Sequence, residues 1–149
     1  MEKCIACGEC IKKCPGKTKD EFNEGLSKRK AIYVSYPQAV PLKYVIDPSR
    51  CIKLIKDKCG NCAKVCPAGA INFEDQEEEI TLNVGSVIMA AGFQPFDPSS
   101  MDNYQYAKFP NVVTSIEFER LLSAGGPTTG HIECHPDKHQ PKKSLGCNV

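Results

Sequence analysis

The stretch Cys4-Ile-Ala-Cys7-Gly-Glu-Cys10-Ile-Lys-Lys-Cys14-Pro15, answered further on by Cys51-Ile-Lys-Leu-Ile-Lys-Asp-Lys-Cys59-Gly-Asn-Cys62-Ala-Lys-Val-Cys66-Pro67, decides how this chain is read. Both runs close on Cys-x2-Cys-x3-Cys-Pro and differ in their first spacing, two residues in one and seven in the other. They are the only internal repeat, and each reads as half of a pseudo-symmetric unit. Eight of the ten cysteines fall before residue 67, while Cys134 and Cys147 lie far off near the C-terminus. Crowding of this kind suits metal sites better than a distributed disulfide framework.

The first run has the spacing of bacterial two-cluster ferredoxins, in which the fourth cysteine of each run reaches the other cluster. Three cysteines two residues apart wrap a loop around one face of an iron–sulfur cube. The fourth, on the helical turn that leaves the loop, points to the neighbouring cube, and the proline after it turns the chain away. Crossing the fourth ligands assigns Cys4, Cys7, Cys10 and Cys66 to cluster one and Cys51, Cys59, Cys62 and Cys14 to cluster two, both [4Fe–4S]. Zinc knuckles are the plainer reading of paired Cys-x2-Cys, but a single tetrahedral ion requires neither a triple repeat nor eight thiols. With every ligand position filled by cysteine, the sites are closed, no catalytic residue is assigned, and the chemistry implied is stepwise electron passage. Gly8 and Gly60 let backbone N–H groups approach cluster sulfurs, and Ile5, Ile11, Ile52, Val65 and Ile71 are expected to pack around the cubes.

The net charge of +1 conceals an asymmetry: residues 1–66 hold 14 Lys/Arg against 7 Asp/Glu, and residues 67–149 hold 5 against 11. Part of the lysine excess offsets cluster charge, about −2 for each cube with its four thiolates. A composition of 41% hydrophobic and 25% charged residues is that of a globular chain. No apolar run approaches the roughly 20 residues that span a bilayer, and the start resembles neither a signal nor a transit peptide, so a cytoplasmic protein is expected.

The fold class expected is α+β. A two-cluster ferredoxin-like domain over residues 1–79 is followed by a partial α/β flavoprotein-like segment over 80–132 and a disordered tail over 133–149. Within these, a short helix is expected around residues 20–26, strands over 31–36, 42–46 and 68–73, and an alternating segment at 80–84. The continuous apolar run Ser86-Val-Ile-Met-Ala-Ala-Gly92 reads as a buried strand of a parallel sheet. Left without its neighbours, it would expose apolar surface. Residues 115–123 read as an amphipathic helix capped by Ser115, and the polar stretch from Thr128 onward as poorly ordered.

The run Val87-Ile-Met-Ala-Ala-Gly92-Phe-Gln-Pro95 is similar to the strand ending Ala-Thr-Gly-x-x-Pro of two-dinucleotide-binding flavoproteins, with Ala91 in place of threonine. Joined to the cysteine runs, Pro37-Gln-Ala-Val-Pro41, Ser115-Ile-Glu-Phe-Glu-Arg-Leu-Leu and Gly126-Pro-Thr-Thr-Gly-His-Ile132, it resembles the A-subunit family of heterodisulfide reductases over residues 1–132. The resemblance implies a ferredoxin-like segment inserted in a thioredoxin-reductase-like FAD domain, with clusters relaying single electrons between FAD and partner redox subunits. It places the eight cysteines named above as ligands and Gly92 near FAD. The Gly-x-Gly-x-x-Gly turn that binds the FAD pyrophosphate is not in this sequence, so the resemblance implies an FAD site completed elsewhere in the parent complex, the chain being a fragment or one of several subunits.

Cys134, His135 and His139 contain a His-x3-His spacing that on a helix would suit a metal, but Pro136 opposes a helix there. Cys134 and Cys147 are expected to be free thiols. Two other readings stay open: a self-standing ferredoxin-type carrier with a docking extension, and clusters that act as structural staples.

Overall fold

A computed structural model describes residues 3–134 and 137–142. The cysteine loop enters α1 (Glu9–Lys13), which starts from Gly8 in the left-handed conformation, φ 78°. Two antiparallel pairs follow. Strand β1 (Lys17–Lys19) pairs with β2 (Lys28–Lys30), and β3 (Ile32–Tyr33) with β4 (Val45–Ile46). The second run carries α2 (Ile52–Lys56) and α3 (Asn61–Lys64). After a long irregular stretch come 3₁₀ turns at Pro98–Ser100 and Asp102–Tyr104 and the helix α4 (Ser115–Leu122).

The core is small and built largely from the cysteine runs. Cys10 of α1, Cys62 of α3 and Ile32 of β3 are buried together, with Ile11, Cys14, Tyr44, Ile46, Ile71 and Phe73 packed against them. Gly16 is needed where β3 approaches the first run, because a Cβ there would lie 2.8 Å from the Cβ of Ala31 and 3.2 Å from the carbonyl oxygen of Arg50.

Strands β3 and β4 lie within the spans expected for them. Elsewhere the structure corrects the sequence reading. The helix expected at 20–26 is a single 3₁₀ turn, Glu21–Asn23, because the Asp20 side chain accepts from the Phe22 N–H and Gly25 and Leu26 turn the chain back into β2. Residues 68–73 are not a strand. Ile71 and Phe73 contribute side chains to the core, but among the described residues no neighbouring strand pairs with them.

The segments 80–84 and 86–92 are not strands either. Every residue from 74 to 97 is exposed, and Ile88 is 90% so. An apolar run becomes a buried strand only when a sheet stands beside it. None of the described residues supplies one, and the exposure foreseen for this segment is what is found. Thus the partial α/β layer expected over 80–132 is here an extended coil followed by one helix.

That helix is capped by Thr114, not Ser115. The Thr114 hydroxyl accepts from the Glu117 N–H at 3.3 Å while the Glu117 carboxylate accepts from the Thr114 N–H at 2.6 Å. The stretch after it carries hydrogen bonds of its own. Thr128 donates from its hydroxyl to the Leu121 carbonyl at 2.9 Å, and the backbone N–H of Cys134 donates to the carbonyl of His139 at 2.9 Å. His135, Pro136 and residues 143–149, including Cys147, lie outside the described residues.

α4 rests on the cluster-side fold through Arg120. Its guanidinium lies 4.3 Å above the Phe22 ring, which in turn stacks on Tyr36 with centroids 5.7 Å apart. Arg120 also donates to Asn23, a buried residue whose own amide donates to Asp20 and Ser27 at 3.0 Å each.

Candidate iron–sulfur centres

The eight cysteines of the two runs divide between two cavities. Cys4, Cys7, Cys10 and Cys66 line one, of about 300 Å³. Cys14, Cys51, Cys59 and Cys62 line the other, which is tighter. Each cavity therefore takes three thiols from one run and one from the other. The chain achieves this by local means. α1 carries Cys10 inward and delivers Cys14 at its C-cap, on the far side of the helix end from the loop. α3 does the same with Cys62, and Cys66 follows one residue beyond its end cap, Val65. Because α1 packs on α3, each helix end reaches the other's cavity.

The seven-residue spacing in the second run is accounted for by α2, which fills it as a single helical turn beginning directly after Cys51. Ile52 and Lys53 of that turn line the second cavity. Ile5 lines the first cavity yet is 67% exposed, so it shields that space less than expected. Tyr44 crosses the first cavity wall, its hydroxyl 3.2 Å from where a Cβ on Gly8 would sit.

Polar groups point at the thiols and at the loop that holds them. The Ala70 N–H donates to Cys66 Sγ at 3.3 Å. A backbone N–H from Tyr44 pulls the Cys4 thiol below its ordinary value, with Lys43 adding to the effect against the opposing influence of burial. Burial pushes the Cys10 and Cys62 thiols up. Two lysines tie the ends of the first run: Lys43 donates to the carbonyl of Cys4, and Lys30 donates to the carbonyl of Cys14 at 2.7 Å.

The donor set suits an iron–sulfur cluster at each cavity: four thiols beside isoleucine and alanine in both, with Tyr44 and Phe73 added in the first, where the Ala70 N–H donates to Cys66 Sγ. Among the described residues no three His, Cys, Asp or Glu side chains are gathered as ligands of a single metal ion, Cys134 and His139 included. None of the nine described cysteines is in a disulfide. No helix among the described residues is long and apolar enough to cross a membrane. Gly92 stands in exposed coil at φ 71°, with nothing within 4 Å of where its Cβ would sit.

The 4Fe-4S dicluster domain family matches residues 3–70, the span that carries both cysteine runs. Beyond that span the similarity continues. The iron-sulfur A-subunit of the CoB--CoM heterodisulfide reductase of Methanocaldococcus jannaschii is 45% identical over 128 residues, 86% of this chain and 19% of that protein. The chain is a relative of the heterodisulfide reductase A-subunit. The A-subunit of the ferredoxin:CoB-CoM heterodisulfide reductase of Methanosarcina acetivorans is 44% identical over 131 residues, 88% of this chain and 16% of that one. The A-subunit of the H(2):CoB-CoM heterodisulfide,ferredoxin reductase of Methanothermobacter marburgensis is 39% identical over 142 residues, 95% of this chain. The chain spans about a fifth of the length of these relatives.

Proposed function

We propose that this chain relays single electrons through two [4Fe–4S] clusters as part of a heterodisulfide-reductase-like flavoprotein complex. Cys4, Cys7, Cys10 and Cys66 hold one cluster, and Cys14, Cys51, Cys59 and Cys62 hold the other. The observation that carries this reading is the division of eight thiols between two adjacent cavities, three and one from each run. A bound [4Fe–4S] cluster supplies a one-electron carrier that needs no open coordination position. The chain's own contribution is to fix eight thiols, exclude water with the core around Ile32, and aim N–H groups at sulfur, which raises the potential.

In this reading residues 1–79 form the cluster domain, and residues 80–132 belong to a flavin domain whose remaining elements come from elsewhere in the complex. The exposed apolar run at 80–93 supports that assignment. The FAD would then be held by the assembled complex, near Gly92. The partners are its other redox subunits, and the location is the cytoplasm, where thiols stay reduced.

Iron and acid-labile sulfide measured on chain purified without oxygen test the reading. About eight of each per chain are expected, with visible absorption that bleaches on reduction. About four of each, or zinc in place of iron, would overturn it.

A further inference from the structure

The two-stranded sheet β1–β2 carries an unusual charge arrangement. Its register places Lys17 opposite Lys30 and Lys19 opposite Lys28. Directly opposed residues share a face, as do residues two apart on one strand, so all four lysines project from one side of the pair. Thr18 and Arg29 take the other side, where Arg29 is pinned by Glu21 and Asp47 at 2.7 and 2.9 Å. Like charges directly opposite destabilise a strand pair. Among the described residues no carboxylate forms an ion pair with any of these four lysines.

The position of this face is as specific as its charge. β1 begins at Lys17, directly after Cys14, Pro15 and Gly16, and β2 ends at Lys30, directly before Ala31 and Ile32. All five of those residues line the second cavity. The Lys30 ammonium meets the carbonyl of Cys14 itself. Hence the Lys17–Lys30 end of the strand pair adjoins the wall of that cavity.

We propose that the face formed by Lys17, Lys19, Lys28 and Lys30 is the docking site of an acidic protein electron carrier, held by its carboxylates beside the second cluster centre. The proposal rests on the cluster assignment above and names the partner surface for it. A carboxylate-rich partner removes the lysine–lysine repulsion that the free chain sustains and steers encounter from a distance. A plainer reading makes the lysines guards of an exposed strand edge. Glutamate guards an edge equally well, so charge reversal separates the two.

The test uses the cluster-loaded chain and, as probe, an acidic two-cluster ferredoxin, titrated at ionic strengths of about 20 and 150 mM. In the double variant Lys17→Glu/Lys19→Glu each new carboxylate faces a lysine across the strand pair, so folding is not endangered. Binding is expected to weaken about tenfold or more in this variant at low salt. The charge-matched variant Lys56→Glu/Lys138→Glu should change it less than about twofold, and wild-type affinity should fall steeply between the two salts. Equal loss in both variants, or no loss in the first, overturns the proposal. So does self-association of the chain at low salt that the double variant abolishes, or tighter binding of a DNA oligonucleotide than of the probe. Iron content and reduction by dithionite are read on the same samples, so failure of the cluster assignment is seen separately from failure of docking.

Discussion

Arg120 donates from Nε to Oδ1 of Asn23 at 3.2 Å, joining α4 to the turn before β2 across 97 residues of chain. The same guanidinium covers the Phe22 ring. This one side chain links the cluster-bearing part to the segment beyond residue 80. Arg120→Ala is expected to reduce the stability of that docking by about 1–2 kcal/mol. Hydrogen exchange checks it: the amides of α4 should lose protection while those of α1 and α3 keep theirs. Unchanged protection in α4 would show that its docking rests on other contacts.

The division of thiols between the cavities predicts non-additive losses. Cys4→Ser/Cys66→Ser removes two thiols from one cavity and should leave about four irons per chain. Cys4→Ser/Cys14→Ser removes one from each and should damage both centres, leaving well under four. If each run held its own cluster the two results would exchange, so iron analysis and the spectrum of the reduced chain decide the pairing.

Asp47 accepts from the Ser49 hydroxyl at 2.6 Å and from Arg29 at 2.9 Å. The Ser49 hydroxyl first, and Arg29 with it, hold the Asp47 carboxyl below the usual carboxylate range. A depressed folded-state value contributes stability that is fully present above the ordinary value of about 4 and is lost as pH falls through the lower folded value. Asp47→Asn should therefore lower stability at neutral pH by about 1–2 kcal/mol and flatten the acid limb of the stability curve below about pH 4. Thermal melts of both proteins between about pH 3 and 7 measure this, and parallel acid limbs would exclude it.

Burial separates two isoleucines of equal hydrophobicity. Ile32 is 3% exposed at the centre of the core, and Ile88 is 90% exposed. Ile32→Ala should cost about 2–5 kcal/mol and lower cluster retention. Ile88→Ser should stay within about 0.5 kcal/mol in denaturant titration. If a completing domain is supplied and covers the 80–93 segment, only then should Ile88→Ser acquire a cost.

The cysteine spacing makes legible which three thiols each run can gather, whereas the fourth thiol of each cavity comes from the packing of α1 on α3. The strand pair β1–β2 is not legible in the sequence. Lys17-Thr-Lys19 and Lys28-Arg-Lys30 have no apolar alternation, and their pairing depends on the Asp20–Ser27 turn and on Arg29 reaching Asp47. The segment 86–92 failed in the opposite way. Its composition describes a strand in a complete sheet, and periodicity reports the environment a segment is built for, not the one it has. The cap of α4 was available in the sequence, since Thr114-x-x-Glu117 is a capping box and Ser115-x-x-Phe118 is not.

Neither cavity wall is contiguous in the chain. The first is open until Cys66 arrives and the second until Cys14 has met residues 51–62. All four strands among the described residues lie between the two runs, so the strand region is a loop closed at both ends by the cavities it separates. Closing so long a loop is entropically unfavourable. Neither set of four thiols is thus assembled before residues of both runs have come together.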